Sequence, residues 1–270
     1  MHKSAVLFSS LWFMTAVALP ASNADTEALA HAWAQQMEFR QGNVAVAKPL
    51  VAYLEAAVAK SADNAQLWEA LGNANMSLQG SMYSGALDMP ALIAAGEHGR
   101  DAYARALALD ANRPLARAGH GMATMVVSQL KGDGPGVMAG IEEMNAAVRE
   151  WPKSTPVRLT RGFTIVHLPP DMRDNEAVIE DLRFIMNVAP GGRPEDVIHV
   201  LLGDVLAETG KLPQARAEYQ QVTGASAFAA EQVKLRLADL AKGSVRPENI
   251  AAVRMGTATC AMCHTPGKDN

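Results

Sequence analysis

The chain carries apolar residues at helical spacing, in runs that glycine and proline interrupt. The clearest run extends from His199 to Glu208, and the next one reaches Tyr219. Gly210 separates these two runs, and Pro213 opens the second. Apolar positions three and four residues apart share one face of an α-helix. The pattern therefore predicts two helices joined by a turn at Gly210.

Three earlier units repeat this pattern less closely. The equivalent positions Trp68, Leu115, Arg158 and His199 are 47, 43 and 41 residues apart. The second helices of the three units are predicted at Arg100–Leu109, Met138–Trp151 and Asn175–Val188. Glycine, proline and aspartate favour turns, which predicts turns with inserted residues at Gln79–Ile93, Lys131–Gly136 and Pro169–Asp174.

Both ends of this region add further predicted helices. Segment Glu27–Ala59 is expected to form a helix pair, and Phe228–Leu240 a terminal helix that caps the last unit. Aromatic residues make up only 5% of the chain, while alanine is abundant. Alanine is the strongest helix former and is small enough for close helix packing. We therefore expect an all-α fold over residues 25–240, followed by a short tail, 241–270.

The last unit resembles a tetratricopeptide repeat. That family has a Leu-Gly pair in its first helix, a glycine at the turn, and an alanine and then an aromatic residue in its second helix. The matching residues here are Leu202-Gly203, Gly210, Ala215 and Tyr219. The resemblance implies an α-solenoid, a stack of helical hairpins that bury one continuous core, and predicts that Tyr219 packs against the next unit. The family period is 34 residues, so each unit here is longer.

The resemblance also implies a concave surface, lined by the first helices, where a partner protein binds. By register, the residues that line this partner groove are Asn73, Met76, His120, Thr124, Phe163, His167, Asp204 and Glu208. A lone histidine on a helix is more often structural than a ligand, and both interpretations stay open for the two histidines. Five methionines are either adaptable core residues or soft copper ligands: Met76, Met82, Met89, Met122 and Met125.

The first residues have the pattern of an export signal. Lys3 precedes an apolar run from Ala5 to Leu19, and small residues favour cleavage between Ala24 and Asp25. A retained membrane anchor is the alternative, although the run is shorter than the about 20 residues that cross a bilayer. We expect residues 1–24 to be a cleaved signal peptide and the mature protein to be periplasmic, with no later membrane span.

Charge and motif content exclude several classes of function. The formal net charge is −4, and loss of Lys3 with the signal peptide would make it −5. A mildly acidic chain does not favour nucleic-acid binding, which needs a basic face. Gly132-Asp133-Gly134-Pro135-Gly136 lacks the lysine and hydroxyl residue of a phosphate-binding loop. With no catalytic motif recognised, we expect a protein that is not an enzyme.

The strongest chemical signal is Cys260-Ala261-Met262-Cys263-His264, which contains both cysteines of the chain. This spacing is the c-type haem attachment motif. Cys260 and Cys263 would each form a thioether to haem, and His264 would bind the iron from the proximal side. The flanking residues resemble cytochrome c attachment sites, which implies one covalent haem c attached outside the cytoplasm.

The motif departs from the cytochrome c pattern in one respect. Only six residues follow His264, so we expect the array or another chain to cover the haem. The sixth iron ligand is open between Met255, a groove histidine, a partner residue and none. Alternative interpretations of the motif are a redox dithiol, a site for Zn²⁺ or Cu⁺, and a chance occurrence without function.

Two hypotheses about function follow. The first is a periplasmic c-type haem protein that transfers electrons or docks to a redox partner through its repeats. The second is a scaffold or assembly factor, similar to repeat proteins that help cytochromes mature, with a metal-binding or redox-active tail. Covalent haem distinguishes the two, because only the first requires it.

Overall fold

The computed structural model describes residues 22–40, 43–82, 87–188, 192–246 and 250, and these residues contain eleven α-helices and no strand. The helices are α1 (Asn23–Arg40), α2 (Ala47–Lys60), α3 (Ala65–Ser81), α4 (Met89–Leu109), α5 (Pro114–Lys131), α6 (Gly134–Glu150), α7 (Thr155–Ile165), α8 (Asn175–Val188), α9 (Gly192–Glu208), α10 (Leu212–Gln220) and α11 (Ala227–Leu240). A short 3₁₀ turn, Val44–Val46, precedes α2. The all-α prediction is confirmed for this part of the chain.

Consecutive helices pack as antiparallel hairpins. Helices α3 and α4 contact each other along their lengths, as do α5 with α6, α7 with α8, and α9 with α10. The opening helices of neighbouring hairpins also touch, since α3 contacts α1 and α5, α5 contacts α7, and α9 contacts α11. The largest buried core cluster runs from Met125 in α5 to Leu240 at the end of α11. The hairpins therefore form an array that shares its core between neighbours.

Local sequence explains where several helices begin and end. The side chains of Asn64, Asp88, Asp133 and Ser226 accept hydrogen bonds from the first free backbone N–H groups of α3, α4, α6 and α11. Such N-caps satisfy donors that have no partner inside the helix. Gly132 ends α5 with a φ of 70°, and Gly210 follows α9 with a φ of 76°. Glycine adopts this left-handed conformation without the steric cost that other residues incur.

The predicted helices at both ends are confirmed, and so is the second helix at Asn175–Val188. Two of the three predicted turn insertions are too long. Helix α3 continues to Ser81 and α4 begins at Met89, so both ends of the predicted segment 79–93 are helical, and only residues 132 and 133 separate α5 from α6. The other residues at the ends of these segments lengthen helices. The proline in each segment occupies the first turn of a helix, where its missing N–H costs nothing.

Glycines within α3 and α5 serve close packing around one aromatic ring. Tyr103 of α4 is fully buried, and its hydroxyl donates a hydrogen bond to Asn73 Oδ1 at 2.7 Å. A Cβ atom added at Gly72 would lie 2.7 Å from the Tyr103 ring, and one at Gly119 only 2.4 Å from it. The ring therefore fills a slot between α3 of its own hairpin and α5 of the next. Burial raises the pKa of the Tyr103 phenol, which stays a neutral donor.

Replacing Gly119 with alanine is expected to destabilise the protein by about 1–3 kcal/mol, because a buried ring must move to admit the methyl group. Urea unfolding followed by circular dichroism measures the change. Gly134→Ala is the matched control, since a Cβ there meets no atom within 4 Å. Equal stability of the two variants would contradict the packing role of Gly119.

None of the helices in the described ranges combines the length and apolar character that a bilayer crossing requires.

Candidate functional site

The haem motif lies outside the described residues. Cys260, Cys263 and His264 fall in 251–270, and most of the expected signal peptide falls in 1–21. Haem attachment and export therefore stay predictions. The described ranges hold no group of three or more histidine, cysteine or acidic side chains placed to bind a metal ion. The candidate functional surface that can be described is the partner groove.

Asp204, which the sequence placed on the groove, is buried inside the protein. Only 1% of this residue is exposed, and its carboxylate accepts hydrogen bonds from Arg236 Nε at 2.6 Å and Nη2 at 2.9 Å. The hydroxyl of Tyr219 donates to the same carboxylate at 2.7 Å. Asp204 therefore holds α9, α10 and α11 together, and it offers no open surface to a partner.

The Tyr219 ring makes a close contact within its own hairpin. It lies against Gly203, where an added Cβ would come within 2.3 Å. The predicted packing of this ring against the next unit stays a prediction. Burial and the neighbouring Asp204 carboxylate raise the pKa of the Tyr219 phenol, so it acts as a neutral hydrogen-bond donor.

A second aspartate fixes how α11 lies along α9. Asp196, near the start of α9, accepts hydrogen bonds from the backbone N–H groups of Thr223, Gly224 and Ser226, just before α11. The Asp204–Arg236 pair joins the same two helices about two turns further on. The start of α9 therefore lies beside the start of α11, and the later part of α9 lies beside the later part of α11. The two helices run parallel. Their carboxyl ends therefore lie at the same edge of the array.

The hairpin of α7 and α8 is held by a similar buried charge. Asp181 is fully buried and accepts hydrogen bonds from Arg158 at 2.9 Å and from Arg161 at 2.6 and 2.9 Å. The Arg158 guanidinium also lies over the Phe184 ring, 4.8 Å from its centre. Arg161 immediately precedes Gly162, where the repeat pattern of α9 has a leucine. An arginine at a core-facing position was thus the sequence signal for this pair.

His120 and Asn73 are partly exposed on the opening helices. His120 Nδ1 lies 2.7 Å from Glu143 Oε2 on the paired helix α6. Arg117 approaches the same carboxylate at 4.0 Å. Asn73 accepts the Tyr103 hydrogen bond described above. Both side chains link the two helices of their hairpins and also reach the surface. The contact with Glu143 agrees with a structural role for His120.

Phe163 and His167 occupy different environments. Phe163 in α7 packs partly buried against the main core cluster. His167 lies just beyond α7, which ends at Ile165, and is half-buried. The structure therefore places His167 in the loop between α7 and α8 rather than on a helix. Glu208, the last predicted groove residue, is the final residue of α9. It forms an ion pair with Arg173 of the same loop.

Arg173 organises the loop between α7 and α8. Its side chain is fully buried and donates hydrogen bonds to the carbonyl oxygens of Val166 and Leu168, both at 2.8 Å, and to Asn175 Oδ1 at 2.7 Å. With the Glu208 ion pair, these bonds fix the loop to the carboxyl end of α9. Loop 166–174 is therefore an ordered surface, which sequence reasoning described only as an inserted turn.

A shallow cleft of about 250 Å³ lies where α3 meets the starts of α5 and α7. Glu69 faces it and binds Arg113 through both carboxylate oxygens, at 3.0 and 3.2 Å. The same carboxylate accepts the backbone N–H of Ala116 at 3.1 Å. These bonds cap α5 and tie it to α3. Both carboxylate oxygens of Glu69 therefore form bonds that join the hairpin of α3 and α4 to the hairpin of α5 and α6.

No protein-family model matches the chain, and no curated protein is significantly similar to it.

Proposed function

We propose that this chain is an exported, c-type haem-binding protein of tetratricopeptide-repeat type that transfers electrons or docks to a redox partner. The observation that carries the proposal is the sequence Cys260-Ala261-Met262-Cys263-His264. Its donor set fits haem c chemically, since two thiols supply two thioether bonds and the imidazole supplies one iron ligand. The apolar run after Lys3 supports delivery to the compartment where such attachment takes place.

The array supports the repeat part of the proposal. Its antiparallel hairpins contact their neighbours in order along the chain, which is the arrangement that repeat proteins use to build an extended core. Leu202-Gly203, Gly210 and Ala215 carry the repeat pattern, and Tyr219 closes on Gly203 as a packed hairpin requires. The partial exposure of Asn73 and His120 leaves the opening helices of two hairpins accessible to a partner.

In this proposal each part of the chain has a separate role. Haem, when bound, supplies a centre that accepts and releases one electron. Cys260 and Cys263 hold it covalently, and His264 holds the iron. The hairpins present a partner surface beside it, so that a redox protein docks close enough for electron transfer.

The test is the pyridine haemochrome spectrum of protein purified from a host with haem-attachment machinery, together with the intact mass. We expect a c-type spectrum and the mass of the cleaved chain plus one haem. Cleavage after Ala24 is read from the same mass. A bare polypeptide, from a host that loads another c-type protein, would refute the haem function and favour the scaffold or assembly factor.

A further inference from the structure

The inference concerns where the motif-bearing segment 251–270 lies, so it extends the proposed function. We propose that segment 251–270 docks within the same molecule on the ordered loop 166–174, with Met172 at the centre of the contact. The exposed residues of this loop, the edge where the chain leaves α11, and the charges on both sides favour this docking. The haem proposal and this one fail through different measurements.

Loop 166–174 exposes apolar residues above a rigid base. Pro169, Pro170 and Met172 are exposed, the last to 42%. Arg173 beneath them is fixed by the hydrogen bonds and the Glu208 ion pair described above. An exposed thioether next to two prolines is a surface that adapts to an apolar partner at low entropic cost. The face is thus pre-arranged to bind, and no helix in the described ranges packs over it.

The topology brings the end of the chain to the same edge. Helices α9 and α11 run parallel, so the end of α11 lies beside the carboxyl end of α9, where Arg173 binds Glu208. Neighbouring helices pack about 8–10 Å apart, which places loop 166–174 within roughly 20 Å of the end of α11. The chain therefore emerges next to the exposed face of the loop.

The described residues after α11, 241–246 and Ile250, stay against the array. Arg246 donates hydrogen bonds to the buried Asp239 carboxylate through its backbone N–H at 3.2 Å and through Nε at 3.0 Å. Val245 packs on the main core cluster, and Ile250 is only 4% exposed. Ten residues then lead to Cys260. Extended chain covers up to about 3.3 Å per residue, so these ten residues span up to about 33 Å, more than the separation between the end of α11 and the loop.

Charge favours the same occupant. Asp171 and Asp174 flank Met172 and are both exposed. Segment 251–270 contains Arg254 and Lys268 against a single acid, Asp269, and it carries apolar residues around Arg254. An apolar centre with an acidic rim thus meets a segment with apolar residues and a small excess of basic ones.

The first experiment measures trypsin cleavage after Arg254 in the full chain by mass spectrometry. We expect Met172→Ser to speed this cleavage about tenfold, because the segment loses its apolar contact. Met89→Ser is the matched control, since Met89 is similarly exposed (39%) but lies on α4, distant along the array. Equal cleavage rates in the two variants would overturn the proposal.

The second experiment follows hydrogen exchange of the amides of 171–176 in the full chain. Replacing Val253 and Met255 together with aspartate is expected to accelerate exchange there about tenfold and to leave the turn at 132–133 unchanged. Exchange that does not respond would overturn the proposal. Protection that weakens on dilution would also overturn it, because a second copy would then supply the segment.

Haem content, measured on the same samples, separates the two proposals. Protection of the amides of 171–176 in a bare polypeptide would support docking and refute the haem function. A haem-loaded protein whose loop is unprotected would support the haem function and overturn the docking proposal.

Discussion

A chain in which Cys260 and Cys263 are both serine is expected to carry no covalent haem while keeping its full helical content. Each thioether needs a cysteine sulfur, so serine at both positions removes both bonds. Helix α11 ends at Leu240, well before the motif.

Intact mass and the haemochrome spectrum measure the loss, and far-ultraviolet circular dichroism measures the helices. Single variants give an internal comparison, since one remaining cysteine still permits one thioether. A mutant that loses helix as well would mean that the tail stabilises the array. A mutant whose haem signal survives denaturation would contradict covalent attachment at these residues.

Replacing Asp204 with alanine is expected to lower the free energy of unfolding by about 3–5 kcal/mol, because it leaves a buried guanidinium without its partner. Arg236 is fully buried and directs Nε and Nη2 to this carboxylate. Tyr219 loses its acceptor in the same variant. Urea unfolding by circular dichroism measures the change, and Asp171→Ala provides an exposed control expected to stay within about 0.5 kcal/mol.

A double variant separates two effects of Asp204→Ala: the loss of the ion pair, and the cost of leaving the Arg236 charge buried without its partner. Asp204→Leu with Arg236→Met removes both charges and keeps the volume apolar, which is often neutral or stabilising. We expect the double variant to recover most of the stability that Asp204→Ala loses. If Asp204→Ala alone cost less than about 1 kcal/mol, water would have to reach Arg236, and the buried pair would not hold α11.

Helical periodicity was enough to predict the existence of most helices but not their lengths. Asn175–Val188 was predicted residue for residue because its apolar positions are regular and turn residues flank it. The segments at 79–93 and 131–136 were predicted too long, because proline and glycine there begin helices or admit a neighbouring helix. Gly136 illustrates the point, since a Cβ added there would lie 2.2 Å from Ser128 Oγ of α5. Composition alone does not distinguish a close contact from a turn.

The charged groups were harder to predict than the apolar ones. Asp204 and Arg236 are 32 residues apart, and Asp181 and Arg161 are 20 apart. Nothing in the spacing shows that these side chains face inward together, so Asp204 was assigned to a surface. Arg161, at a position where the repeat pattern has a leucine, was the one available sign of a buried pair.

The ring of Tyr103 has a consequence for engineering the array. The residue belongs to α4, yet it fills space that α3 and α5 share through Gly72 and Gly119. A hairpin of α3 and α4 excised at its turns would keep only the half of the slot that Gly72 forms and would lose the half that Gly119 forms. Module boundaries suited to recombination therefore lie inside α5, beyond Gly119, and not at the visible turns of the chain.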